Sequence, residues 1–227
     1  MTQPWILLTG NGSFGDSAER AELRYSENPS STVALALDGE TVAGHRVVAR
    51  SLDWDVHPEE ALGPLMLGGG PPPSAVVCCG VFSGRATVTA ERIAVNVQDF
   101  QFADGGRRPA GEPVYPDGPA AYLSTLPIKA MTAAMRAAGA PALVSNSAST
   151  HGCNALMYTA LHLADRHLPA VRCGFLHLPD SAEHVARLGH NGPSMDLPLQ
   201  VTAVRAALRA LVEHPVDINV PANEWEW

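Results

Sequence analysis

No apolar run in the 227-residue sequence approaches the ~18 residues that a membrane-spanning helix requires. Met1-Thr-Gln-Pro-Trp-Ile-Leu-Leu8 has neither the basic segment nor the cleavage site of a signal peptide, so a cytoplasmic protein without a membrane partner is expected. Charge is also scarce, at 17% of residues, and its net value of -8 argues against nucleic acid or an anionic membrane surface as the main partner. A small neutral or cationic ligand fits better. Cysteine is rare: Cys78, Cys79, Cys153 and Cys173 include no CxxC pair, no zinc spacing and no disulfide framework, so reduced thiols are expected. Cys78 and Cys79 are neighbours in an apolar run, where strand geometry would send them to opposite faces as small core fillers. Neither an internal repeat nor a linker between two cores is visible. The expectation is one domain over 1–227, in which 215–227 forms a tail, either flexible or used as a contact.

What the chain does contain is an alternation of strand and helix signals. Trp5-Ile-Leu-Leu-Thr9 reads as a strand covered on both faces, with Gly10 to Asp16 as the loop at its carboxyl end. Further strands are expected over His45–Leu52, Ser74–Gly80, Thr87–Val97, Pro141–Val144 and Val171–Leu178. Helices are expected after Asn28-Pro29-Ser30 with Val33 and Leu37 inward, over Pro58–Met66, from Pro127 to a stop at Gly139, and from about Cys153 to Arg166. A closing helix follows Asp196, and its Leu197, Val201, Val204, Leu208 and Leu211 form one packed face. Between Asp99 and Tyr122, glycine, proline and aspartate predict a long irregular segment. The pattern as a whole predicts a three-layer α/β/α sandwich on a mainly parallel sheet, open to a mixed arrangement. In such folds the loops after strands carry the chemistry, which directs attention to 10–16 and 80–91.

The most informative stretch is Ser145-Asn-Ser-Ala-Ser-Thr-His-Gly-Cys-Asn154, a polar run between a strand pattern and a helix pattern. It sets Cys153 in the first turn of a helix, near the positive end of the dipole and near unpaired backbone N–H groups. Those groups favour a thiolate and are able to receive an oxyanion. A core thiol is the alternative for an arbitrary buried cysteine.

The flanking residues resemble the active-site signature of the pyroglutamyl peptidase (pyrrolidone carboxyl peptidase) family, S-(N/Q)-(S/T)-A-G-T-(F/Y)-V-C-N-x-x-x-Y. Ser145, Asn146, Ser147, Ala148, Thr150, Cys153, Asn154 and Tyr158 match it, whereas Ser149, His151 and Gly152 do not. Gly174-Phe-Leu-His-Leu-Pro179 is similar to the family's G-F-(I/L)-H-(V/L)-P, and Glu91-Arg-Ile-Ala-Val-Asn96 to its E-R-(V/I)-A-(V/I)-N. The likeness runs from Thr9 to about Leu211. It implies the α/β/α sandwich already read from the pattern, and a catalytic set of Cys153 as nucleophile, His177 as base and Glu91 as the acid that orients the imidazole. It implies no metal and no cofactor, a small-molecule or peptide amide as substrate, and a homo-oligomer, for which Trp225 and Trp227 are candidate contacts. Of the remaining histidines, His162 and His167 are five apart and off a common helix face. His184, His190 and His214 read as solvated.

The chain departs from the family around the pocket. In Thr9-Gly-Asn-Gly-Ser-Phe-Gly-Asp16, Asn11 stands where the family's T-G-F-E-P-F-G-G has its leading phenylalanine, while Phe14 is kept. Gly80-Val-Phe-Ser-Gly-Arg85 carries Val81 in place of a lactam-recognising glutamine and keeps Arg85. His151-Gly152 replaces an aromatic–valine pair, and Gln101 replaces an arginine thought to help the oxyanion. Retention of the triad with a changed pocket points to a cysteine hydrolase acting on a pyroglutamyl or related small acyl or lactam amide. A non-catalytic ligand-binding relative and a biosynthetic amidase or acyl transferase on another substrate are the alternatives.

Overall fold

The computed structural model describes residues 3–12, 28–53, 56–101, 103, 107–189 and 191–223. In chain order its elements are β1 (Trp5–Asn11), α1 (Pro29–Ala36), β2 (Thr41–Val42), β3 (His45–Leu52), α2 (Pro58–Leu67), β4 (Ala75–Val81), β5 (Val88–Glu91), β6 (Ile93–Val95), β7 (Gln98–Asp99), β8 (Ala110–Glu112), β9 (Ala121–Leu123), α3 (Ile128–Ala137), β10 (Ala142–Ser145), α4 (Gly152–His167), β11 (Arg172–Leu178), α5 (Ala182–Leu188) and α6 (Leu197–Glu213).

Seven strands form the central sheet in the order β10-β5-β11-β4-β1-β3-β2. The pairs β1/β3, β1/β4, β4/β11 and β5/β10 are parallel, while β5/β11 and β2/β3 are antiparallel, so the sheet is mixed and mainly parallel. Because successive strand residues face opposite sides, each strand feeds two cores. Ile6, Leu8, Val77 and Cys79 pack with α1, α3 and α6, and Leu7, Val76, Cys78 and Phe175 pack with α2 and α4. Cys78 and Cys79 thus part to opposite faces, as strand geometry requires. No helix among the described residues is long and apolar enough to cross a membrane.

Sequence patterning located most of this. Asn28 caps α1 by accepting from the Ser30 N–H, and Pro29 occupies its first turn. The Thr87–Val97 strand, however, is broken. β5 belongs to the central sheet and β6 pairs with β9 in a separate ribbon. Arg92 makes the break by donating its N–H to the Ser145 carbonyl while its own carbonyl accepts from Ser124. The irregular 99–122 stretch is pinned by short ladders, β7 with β8 and β6 with β9. Helix α5 carries its own signals in the Ser181 cap and the Gly189 stop, which the apolar period does not show. His184 lies on it and is buried, not solvated. His190, Trp225 and Trp227 lie outside the described residues. The chain beyond α6 is tied to the body: Asp217 accepts from the N–H groups of Lys129 and Ala130 at the start of α3, and Asn223 brackets both backbone groups of Val144.

Candidate active site

The site is assembled on the α4-facing side of the sheet. His177 near the end of β11 is in register with Gly80 of β4. Asn11 lies one residue past the Gly10–Cys79 pair that joins β1 to β4. His177, Gly80 and Asn11 therefore form one row across three adjacent strands. Gly80 is where α4 comes closest. A Cβ added there would sit 2.9 Å from Cys153 Sγ, 2.9 Å from Phe175 Cζ and 3.1 Å from Asn11 Nδ2, which only a residue without a side chain accommodates. The thiol thus rests over bare backbone, flanked by the strand that bears His177 and the strand that bears Asn11.

Glu91 comes from the other side of β11. Strand β5 is antiparallel to β11 with Thr89 opposite His177, so Glu91, two residues on, points to the same face and reaches diagonally. Its Oε1 is 2.8 Å from His177 Nδ1, 3.0 Å from the Thr89 hydroxyl and 2.6 Å from Arg85 Nη1. Arg85 also donates to Thr89 and, at 3.3 Å, to the Ser147 carbonyl, and its guanidinium lies 3.9 Å above the Phe82 ring. Phe82 in turn meets His177 edge-on at 5.2 Å, and Phe175 packs against the imidazole at 4.7 Å. The imidazole is enclosed by rings and touched by one carboxylate.

The electrostatics follow from this enclosure. Burial, the largest influence, pushes the His177 pKa down; the Glu91 hydrogen bond and charge oppose it, and Arg85 adds to it, so the net direction is below the ordinary imidazole value. Burial raises the Glu91 carboxyl, but the hydrogen bond and charge of His177, the Ser145 hydroxyl and the Arg85 charge together outweigh it and hold the carboxyl below its usual range. A neutral imidazole beside a carboxylate donates through Nδ1–H, which leaves Nε2 as the acceptor.

Cys153 is the second residue of α4 and the one cysteine of the four that is not buried; none of the four is in a disulfide. Burial pushes the Cys78 thiol up to about 11 and raises Cys79 and Cys173 further, which leaves these three inert. Helix α4 begins at Gly152 without a side-chain cap hydrogen bond, which sets Cys153 in its first turn, at the positive end of the dipole.

Several residues of the motif are brackets that hold this helix start. Asn154 is buried and pairs both ways with the Val95 backbone while also donating to the Val97 carbonyl. Tyr158 donates to the Pro119 carbonyl at 2.6 Å, and Asn96 ties down the turn at Tyr115 and Gly118. Ser149, where the family motif has glycine, adopts φ 66°, a left-handed conformation that costs a residue with a Cβ about 1 kcal/mol or more. Its hydroxyl accepts from the His151 N–H.

The pocket residues named from sequence fall unequally around the thiol. Asn11 is buried with Nδ2 at 3.8 Å from Cys153 Sγ, and its Oδ1 has no hydrogen-bond partner. An unpaired buried acceptor costs about 1–3 kcal/mol. Val81 closes β4 beside Leu178 and is half-buried. The His151 ring stacks on Phe100 with centroids 4.1 Å apart, so an aromatic surface persists where the family's aromatic residue has been replaced. Gly152 is the first residue of α4. Gln101 is exposed, and its carbonyl accepts from Arg108. Phe14 lies outside the described residues. Sequence reasoning missed Thr89 and the closeness of Gly80 to sulfur, since neither is visible without the register of the sheet.

A family model described as pyroglutamyl peptidase matches residues 5–214. The pyrrolidone-carboxylate peptidase of Mycobacterium bovis is 40% identical over 223 residues, covering 95% of this chain and 96% of that protein. The enzyme of the same name from Cupriavidus taiwanensis is 40% identical over 221 residues with the same coverage. Among solved structures, pyroglutamyl peptidase I from Bacillus amyloliquefaciens superposes with a TM-score of 0.87 at 30% identity, covering 97% of this chain and 100% of that one. Pyrrolidone carboxyl peptidase from Thermococcus litoralis superposes with a TM-score of 0.81 at 29% identity, covering 96% and 99%. The match spans strands, helices and the Cys153, His177 and Glu91 motifs alike, and the chain belongs to the pyroglutamyl peptidase family of cysteine peptidases.

Proposed function

We propose that this chain hydrolyses the amide bond that follows an N-terminal pyroglutamyl residue or a closely related lactam acyl group, through Cys153, His177 and Glu91. The observation that carries the reading is the buried His177–Glu91 pair on the strand next to Gly80, over which the Cys153 sulfur sits. Cys153 attacks the acyl carbonyl as its proton passes to His177 Nε2. The tetrahedral oxyanion forms beside the first N–H groups of α4, in a region where donors stabilise it without reorganisation. Collapse breaks the C–N bond, and the imidazolium gives its proton to the departing amine. Water then adds to the thioester with His177 again as base, which releases the acid and restores the thiol.

Family membership and retention of all three residues do not favour a non-catalytic binder. The pocket is altered from the family pattern at Asn11, Val81, Gln101 and His151-Gly152, so catalysis is kept while recognition of the ring is rebuilt. The test is incubation of the protein with a pyroglutamyl peptide, with release of free pyroglutamate followed by mass spectrometry. Cys153→Ala serves as the control and should lose ~1000-fold or more of the rate, as expected for removal of a covalent nucleophile. Wild-type protein that releases no pyroglutamate, or a variant that keeps more than about a tenth of the rate, would refute the proposal.

A further inference from the structure

Asn11 is a buried amide with one half committed and the other unmet. Its backbone is fixed from two sides. Its N–H donates to Ser30 Oγ at 3.1 Å, and Gly10 before it lets the start of α1 press on the strand, since a Cβ there would meet the Ser30 carbonyl at 2.3 Å. Ser30 is itself held by the Asn28 cap. The side chain cannot swing out, because Asn11 is 2% exposed. Nδ2 lies 3.8 Å from the Cys153 sulfur, and Oδ1 of the same amide is buried and without a partner. A polar atom sealed from water in front of a nucleophile is complementary to a ligand that brings the opposite half of the hydrogen bond. Oδ1 only accepts, so that half must be an N–H.

Resting on the proposed lactam substrate, the geometry points to Asn11 as a specificity-determining residue whose Oδ1 accepts the ring N–H of the acyl group, while its Nδ2 holds the amide plane against the sulfur. Of the chain's other departures, Val81 has no polar side-chain atom and Gln101 is exposed at the surface, while Asn11 is in hydrogen-bond contact with the Cys153 sulfur. Substitution of an aromatic residue by asparagine thus exchanges ring packing for a direct reading of the lactam nitrogen. Sites that hydrogen-bond a substrate N–H discriminate steeply against an analogue that lacks it, because the protein group is then left buried and unpaired.

The experiment compares kcat/KM for a pyroglutamyl aminocoumarin amide with that for its carbocyclic analogue, in which a methylene replaces the ring N–H. Wild type should prefer the lactam by about tenfold or more. Asn11→Leu and the smaller Asn11→Ala, each checked for a native melting transition, should bring the ratio close to one. Asn11→Asp retains an acceptor and should keep the preference, while its kcat falls because a carboxylate beside the sulfur opposes thiolate formation. An unchanged ratio in Asn11→Ala, or a wild type with no preference, overturns the inference and leaves the proposed hydrolysis standing. A wild type that cleaves neither compound overturns the substrate reading, and this inference falls with it.

Discussion

Nδ1 of His177 lies 2.8 Å from Oε1 of Glu91, and both side chains are sealed from solvent. A histidine so placed has its tautomer set by the carboxylate, with Nδ1–H donating and Nε2 free to take a proton from sulfur. In the proposed mechanism removal of the ring removes the base, so His177→Ala should lower kcat by ~1000-fold. Glu91→Gln keeps an oxygen that accepts from Nδ1–H but loses the charge that stabilises the imidazolium, and a drop of ~10–100-fold is expected, short of the alanine variant. Steady-state kinetics on one substrate settle the order. Equal rates for wild type and His177→Ala would remove the histidine from the mechanism.

The acid limb of kcat/KM should fall below the ordinary imidazole range, because burial lowers the His177 pKa and a base must be neutral to act. Arg85 adds to that depression from its place on Glu91. Arg85→Gln therefore releases His177 upward and should move the acid limb to higher pH. The same signs govern stability. Both pKa values are depressed in the fold, so stability is present above the unfolded values, about 6.5 for histidine and 4.3 for glutamate, and drains as pH falls through each folded pKa. A pH–rate profile in which Arg85→Gln leaves the limb in place, or shifts it to lower pH, contradicts this account.

Gly80→Ala tests the contact between sheet and thiol. The added methyl would lie 2.9 Å from Cys153 Sγ and 2.9 Å from the Phe175 ring, so one of them must shift. Overpacking of this kind costs about 1–3 kcal/mol of stability. Displacement of the sulfur by a few tenths of an ångström should cut kcat by about tenfold or more, since rate is sensitive to the placement of reacting atoms. Thermal melts and kcat measured together check this. Full activity in a folded Gly80→Ala protein would show that the sulfur does not depend on the bare backbone.

The alternating strands and helices were legible because burial on both sheet faces leaves continuous apolar runs, and caps such as Asn28-Pro29 mark where helices begin. Cys153, His177 and Glu91 were legible through motifs. What the sequence concealed is relational. The reversal of β5 against β11 sets Glu91 diagonal to His177, and the break at Arg92 that ends β5 just after Glu91 looks like ordinary strand in a one-dimensional pattern. The role of Gly80 appears only when α4 is laid over β4. Asn154, Tyr158 and Asn96 match the motifs without being chemical, and only their hydrogen bonds to Val95, Pro119 and Tyr115 show them to be clamps.

Substrate preference follows from what surrounds the sulfur. The Val81 side chain supplies no hydrogen bond where the resemblance implies a glutamine, and the exposed Gln101 carries no charge where it implies an arginine. Each lost hydrogen bond costs about 1–3 kcal/mol of transition-state binding when its partner is left unpaired, and Asn11 offsets at most one of them. The pyroglutamyl-aminocoumarin reporter should accordingly be a poor substrate, with kcat/KM well below the ~10⁵ M⁻¹s⁻¹ of an efficient enzyme. Val81→Gln restores an amide at the end of β4, next to the row that holds Gly80, and should raise that value by about tenfold. Side-by-side kinetics of the two proteins decide the matter: a wild-type value near ~10⁵ M⁻¹s⁻¹, with no gain in Val81→Gln, would mean that the replaced residues had not weakened recognition of the ring.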